Sequence, residues 1–345
     1  MWYITTEPER SYSSAVEHYV DIVGVTGSIP VVTTIIFRDM PKLSFFIAFV
    51  VLALSSVLFI GSKHETHSIF YVKSDDIYET LKNDSSFGTA IAFYVVEQVP
   101  FMKKKTTTGE YEIRKGESVI SVIKKMLTGN KVRRKITIPE GYTVKQIIEK
   151  LNENHMLFGD LNEDIPEGTL FPDTYFYSFG DTKKSVVQKM QRQMQIIKTK
   201  FLSQNKTSMS LEETIILASI IEKESGNRNE YTLISSVFHN RLACKMRLQS
   251  DPTVIYAITD GYGKMNRKLN HSDLQFVSPY NTYRNFGLPP SPICCPGEQA
   301  IKAAMSPDAT EYLYFVANKE HTAHIFSKDY SEHLLAIKNL RRESY

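Results

Sequence analysis

The sequence predicts an α+β chain standing behind a single N-terminal transmembrane helix, and three observations carry that expectation. Residues 43–61 form one apolar run, LSFFIAFVVLALSSVLFIG, without a charged residue. After it, alternating β-branched stretches are interleaved with stretches of helical period. The balance of 42% hydrophobic and 23% charged residues over 345 positions is that of an ordinary folded chain, long enough for about two or three folding units with a real core.

As a helix, residues 43–61 would be about 28 Å long, close to the hydrocarbon thickness of a bilayer. Ser55 and Ser56 are tolerable there, because a helix satisfies its own backbone and a hydroxyl can bond back to a carbonyl. A cleaved signal peptide fits poorly: 42 residues precede the run, and the run is too long for an h-region. Arg38 and Lys42 precede the span, and Lys63 follows it beside Glu65. The positive-inside rule therefore mildly favours residues 1–42 as a cytoplasmic extension, with everything after residue 62 facing the periplasm or cell exterior. A net charge of +3 gives no pointer to nucleic acid. Cys244, Cys294 and Cys295 form neither a disulfide framework nor a zinc pattern. They read as small buried side chains, with a bridge from Cys244 to one of the vicinal pair as the alternative.

Beyond the span, residues 68–98 mix short β-branched runs with a polar helical stretch, and Lys103, Lys104 and Lys105 open a polar loop. Residues 109–113 suit a strand, and residues 115–118 a turn feeding a helix at 119–127 that stops before Gly129. Residues 134–138 alternate as a second strand, Pro139-Glu140-Gly141 turns, and residues 144–151 make a second helix. Both helices are entered through a G-x-[ST]-V turn, and this strand–turn–helix unit, residues 62–155, resembles a LysM-like module that grips N-acetylated glycans. A spacer without ligand is the alternative. Turn-rich text at 159–160 and 166–168 leads to LFPDTYFY, an amphipathic helix at 186–201 and a polar loop at 203–210.

Ser210-Leu211-Glu212-Glu213 is an S-x-x-E capping box. The body that follows, TIILASIIEKES, is almost wholly apolar for two turns, so this helix should be buried on most sides and end at Gly226 in a left-handed cap. Glu222 and Glu224 occupy its final turn and, at about 100° per residue, point to nearly opposite faces. The negative end of the helix dipole and partial burial both disfavour a charged carboxylate, as a proton donor at neutral pH requires. Spacing does not choose between the two, and a solvent-facing glutamate beside Lys223 is the bland alternative.

The stretch LASIIEKESG, followed by VFHNRL, MRLQSDPTVIYA, PYNTYRNFGLPPSPI, PGEQAIKAA and YLYFVA, resembles the MltG/YceG-like endolytic murein transglycosylases. The resemblance runs from about residue 68 to the C-terminus and is most specific over 217–317. It implies a mixed α+β, lysozyme-like YceG-type catalytic domain over residues 156–345, with the anchor and the LysM-like unit before it. Glu224 matches the catalytic glutamate, and Glu222 becomes a structural or orienting neighbour. Asn240, Gln249, Asp251, Tyr280, Asn281, Thr282, Tyr283 and His324 are expected to shape the groove, with Arg241 or Asp251 alternatively in a buried ion pair. The turn at 287–290 is expected to form a rigid wall. Cys294, Cys295, His321 and Thr322 depart from the family's pattern, away from the Glu224 motif.

The implied substrate is the MurNAc–GlcNAc strand of peptidoglycan, cut internally beside the membrane without cofactor or metal, and the implied partners are peptidoglycan synthases. A single carboxylate would protonate the leaving oxygen and then take the proton of the MurNAc 6-hydroxyl, leaving a 1,6-anhydro end and ending a nascent strand. Two alternatives remain open: a muramidase-like hydrolase using Asp251 or Asp273 as second carboxylate, and a catalytically silent glycan-binding scaffold.

Overall fold

The computed structural model describes residues 67–72, 109–161, 163–202, 207–320 and 322–342. The extension at 1–42, the span expected at 43–61 and the basic patch at 103–105 lie outside the described residues. Among the described residues no helix is long and apolar enough to cross a membrane.

The chain divides into two compact units, residues 1–130 and 131–345. In the first, β1 (Ser68–Val72) pairs antiparallel with β2 (Gly109–Ile113), Ser68 opposite Ile113. Helix α1 (Val119–Thr128) is capped by the Ser118 hydroxyl and closed by Gly129 at φ +69°, a conformation that glycine adopts without a Cβ penalty. Tyr111, Ile113, Val122 and Met126 are buried. Lys125 reaches back to Glu117 at 2.6 Å and to the Glu112 carbonyl at 2.8 Å, tying the helix to the strand.

The second unit begins with β3 (Arg134–Thr137), paired antiparallel with β4 (Thr174–Tyr177), and α2 (Val144–Asn152), whose Thr143–Gln146 capping box is complete. This unit starts at Lys131, inside the 62–155 segment read from the sequence as one subdomain. Val144, Ile147 and Leu151 of α2 share one buried cluster with Val186 and Met190 of α3 (Lys183–Leu202), so strand pairing and core draw residues 131–155 into this unit.

Helix α4 (Leu211–Glu224) is the centre of the larger cluster. It packs against α5 (Tyr231–Ala243), α6 (Asp251–Ile258) and α7 (Glu298–Met305). Ile215, Leu217, Ala218, Ile220 and Ile221 are buried, as the unbroken apolar body requires. The expected left-handed cap at Gly226 is absent: α4 ends on Ser225 in an extended conformation, φ −135°. Ser225 Oγ accepts the Asn227 N–H at 2.9 Å, and the Asn227 side chain caps the short 3₁₀ turn Arg228–Glu230, so side chains shape this exit without a glycine. β5 (Tyr314–Ala317) and β6 (His324–Ser327) form an antiparallel pair, followed by α8 (Tyr330–Arg342). All three cysteines are free thiols, Cys244 exposed and Cys294 and Cys295 buried. The bridge considered for Cys244 is therefore not formed, and its burial is corrected.

Candidate active site

The site is built on the last turn of α4. Ser210 Oγ accepts the Glu213 N–H at 3.1 Å and Glu213 returns a bond from the Ser210 N–H at 2.8 Å, so the helix is fixed at its start. Its buried body holds the final turn in register. The two glutamates of that turn diverge as the 100° step dictates. Glu222 accepts from the Gly297 N–H at 2.9 Å and from the Tyr231 hydroxyl at 3.1 Å. Burial, with Glu140 nearby, pushes its carboxyl above the ordinary range, and both its oxygens are spent on bracing α5 and the start of α7.

Glu224 faces the segment before α6. Ser250 Oγ donates to its Oε1. Ser250 is 1% exposed, and its own backbone is fixed: its N–H donates to Thr282 Oγ1 at 2.9 Å and its carbonyl accepts from Thr253 Oγ1 at 2.6 Å. The Thr253 and Thr282 hydroxyls meet at 2.9 Å. Gln249, at φ +51°, makes the bend that turns Ser250 inward, and its N–H is held by the Thr282 carbonyl at 3.2 Å. A buried lattice of hydroxyls thus aims one donor at one oxygen of Glu224, leaving Oε2 for a proton.

Burial lifts the Glu224 carboxyl to about 7, and the charge of Asp251 adds to the rise, while the Ser250 bond and the Arg241 charge oppose it. The residue keeps part of its surface open, so the carboxyl is crowded by protein rather than sealed from a ligand. Arg241, buried on α5, forms no pair with Asp251: its Nε donates to the Leu313 carbonyl at 2.7 Å and Nη1 to the Leu248 carbonyl at 2.6 Å. Asp251 is exposed and accepts the Tyr283 hydroxyl at 2.6 Å.

Glu224, Gln249, Asp251 and Tyr283 are therefore brought together. The remaining expected residues are placed otherwise. Asn281 is fully buried, its amide donating to the Leu274 and Phe276 carbonyls at 3.0 and 2.8 Å, so it braces its own loop. Thr282, 1% exposed, supports Ser250 rather than lining a groove. Asn240 spends its amide on the Thr310 and Tyr312 carbonyls, both at 2.9 Å. His324 is clamped by Glu230, through its N–H and its Nδ1 at 2.8 Å each, and lies edge-on to Phe315. Tyr280 bonds Ser291 at 2.6 Å and stands beside Tyr256, in a neighbouring cavity. Asp273 is held by both terminal guanidinium nitrogens of Arg267, at 2.5 and 2.8 Å, which hold its carboxyl near 2.

Sequence reasoning missed Ser250, Thr253 and Glu230. Ser250 sits inside the quoted MRLQSDPTVIYA segment, between two residues that were picked, and a small hydroxyl gave no signal until the fold turned it inward. Chemically, the arrangement offers a single acid near neutral pKa with one oxygen pinned, and one exposed carboxylate close by.

A family model described as the YceG-like family matches residues 72–339. The chain is 33% identical over 271 residues to the endolytic murein transglycosylase of Bacillus subtilis (strain 168), covering 69% of this chain and 72% of that protein. It is 27% identical over 276 residues to the endolytic murein transglycosylase of Streptococcus pneumoniae, covering 65% of this chain and 49% of that longer protein. The crystal structure of a YceG-like protein from Listeria monocytogenes, 30% identical, aligns with a TM-score of 0.49 over 79% of this chain and 99% of that one.

Proposed function

Because this chain belongs to the YceG-like family, we propose that it is an endolytic peptidoglycan lytic transglycosylase in which Glu224 is both acid and base. The observation that carries this reading is the Glu224 carboxyl itself, lifted to about 7 by burial and held on one oxygen by Ser250. Protonated on Oε2, it gives its proton to the glycosidic oxygen as the C1–O4 bond of MurNAc breaks. The carboxylate then takes the proton of the MurNAc 6-hydroxyl as O6 closes on C1, restoring the acid and leaving a 1,6-anhydro end. No water enters. Asp251, which accepts the Tyr283 hydroxyl, would stabilise positive charge developing at C1.

A hydrolase needs a second free carboxylate. Asp273 is committed to Arg267 and Asn270, which leaves Asp251 as the one candidate of the pair considered. The membrane-anchored reading of residues 43–61 rests on their apolar run; it puts the catalytic unit outside the cytoplasmic membrane, next to nascent strands and the synthases that make them, where cutting would end elongation. LysM-like glycan gripping is assigned to the strand–turn–helix segment over residues 62–155, supported by the G-x-[ST]-V entry that its two helices share.

The test is mass spectrometry of muropeptides released from peptidoglycan by the chain and by Glu224→Gln. Products with 1,6-anhydro ends from the first and none from the second are expected. Reducing ends would instead establish hydrolysis, and binding without cleavage would establish a scaffold.

A further inference from the structure

A cavity of about 540 Å³ opens in the second unit beyond the Glu224 site. Its walls join α2 and the 163–167 turn to the far end of α6 and the loop at 278–280. Two of these elements also build the catalytic site. Helix α6 starts at Asp251, directly after the serine that holds Glu224, and carries Tyr256 on the cavity side about 8 Å further along its axis. The loop that supplies Thr282 and Tyr283 to the site gives Ser278 and Tyr280 to the cavity. The cavity and the Glu224 site thus share one helix and one loop.

The chemistry of the walls is that of a site for a neutral, hydroxylated ring. Tyr256 and Tyr280 stand with ring centroids 5.0 Å apart, tilted by 51°. Each is pinned by its hydroxyl, Tyr256 to Glu167 at 3.3 Å and Tyr280 to Ser291 at 2.6 Å. The rings are thus ordered before any ligand arrives, which lowers the entropy cost of binding. The size and mixed apolar and polar lining are those of small-ligand sites. Four of the five charged side chains on the walls are acidic, and the one cation, Lys145, is already paired with Asp260 at 2.7 Å. Glu163 is likewise paired with Lys184, so the lining offers no unpaired cation to a phosphate or carboxylate ligand, whereas sugar hydroxyls and amide N–H groups find acceptors. Glu167 lies at the back. It caps the first turn of α2 through the Val144 N–H at 2.9 Å, and burial lifts its carboxyl to about 7, so the cavity floor carries less charge than its residues suggest.

We propose that this cavity is a distal saccharide subsite, which binds a sugar unit of the strand remote from the bond being cut and so selects long strands over short ones. The proposal deepens the glycan-cutting reading and rests on it for the identity of the strand.

The test fills the cavity. Ala257, half-buried on its wall, is changed to Trp in the full chain, and kcat/KM is measured on long and short peptide-free glycan strands. In parallel, N-acetylglucosamine oligomers are titrated into Glu224→Gln with and without Ala257→Trp. The preference for long strands is expected to fall about ten-fold, and oligomer binding to weaken by a similar factor. If Ala257→Trp melts early, Ser278→Trp blocks the cavity from the opposite wall. An unchanged preference, or an equal loss on both strand lengths, overturns the subsite. A loss seen only with peptide-bearing strands overturns it as well, by assigning the cavity to the stem peptide. Weakened oligomer binding from a chain that releases no 1,6-anhydro ends would leave the subsite standing and sink the transglycosylase reading instead.

Discussion

At the scale of single residues, the consequence of the hydroxyl lattice is a pH dependence. Ser250 donates to the charged form of Glu224 and so holds its pKa down against burial. Ser250→Ala is expected to move the descending limb of the kcat/KM profile to higher pH and to lower kcat by about ten- to a hundred-fold. A pH-rate series on defined strands checks this; a loss of rate with an unmoved limb would mean that Ser250 only supports the loop. The same carboxyl has a cost in stability. Its folded pKa of about 7 lies above its ordinary 4.5, so the folded state binds the extra proton between those values and stability falls as pH rises through that window. Glu224→Gln should therefore melt above the wild type at pH 8, by about 1–2 kcal/mol after allowing for partial solvent access, and match it below pH 4. Urea titrations at the two pH values measure it.

Among elements, α4 is held by packing along its body, and the turn at 166–168 is held against that body. Gly168 adopts φ +75°, and a Cβ there would lie 2.6 Å from Cγ and 2.8 Å from Cβ of Pro292, a ring with little freedom to move. Ile215 of α4 is its third neighbour, at 3.3 Å. Gly168→Ala is expected to cost about 2–4 kcal/mol, combining left-handed strain with overlap, read as a lower midpoint in chemical denaturation. Gly116, at φ +81° with nothing near its Cβ position, should cost only about 1 kcal/mol. The contrast between the two separates close approach from backbone conformation alone.

Over the whole molecule, the anchor proposed at residues 43–61 would decide which glycan the site meets. The full chain is expected to sediment with membranes, and a chain lacking residues 1–62 to leave the membrane fraction and to cut mature wall as readily as nascent strands. Fractionation followed by immunodetection tests the first half, and pulse-labelled wall the second. A truncated chain that still sediments would move membrane attachment to some other part of the molecule.

Periodicity and caps made most elements legible in the sequence. The strands at 109–113 and 134–137, the helices at 119–128 and 144–152, and the capping box at Ser210 follow from local patterns whose causes lie within a few residues. The opposed faces of Glu222 and Glu224 follow likewise from a fixed 100° step. The exit from α4 was not legible, because side chains at Ser225 and Asn227 settled it where a glycine was expected to. The unit boundary at Asn130 depended on β3 finding β4 some forty residues later. Ser250 and its threonines, the burial of Asn281 and the cavity beneath Tyr256 exist only once distant segments meet. Desolvation of the acid and the donor on its oxygen are properties of that meeting. The family resemblance in the sequence singled out Glu224 over Glu222, and tertiary structure alone gave it the burial that lifts its carboxyl to about 7.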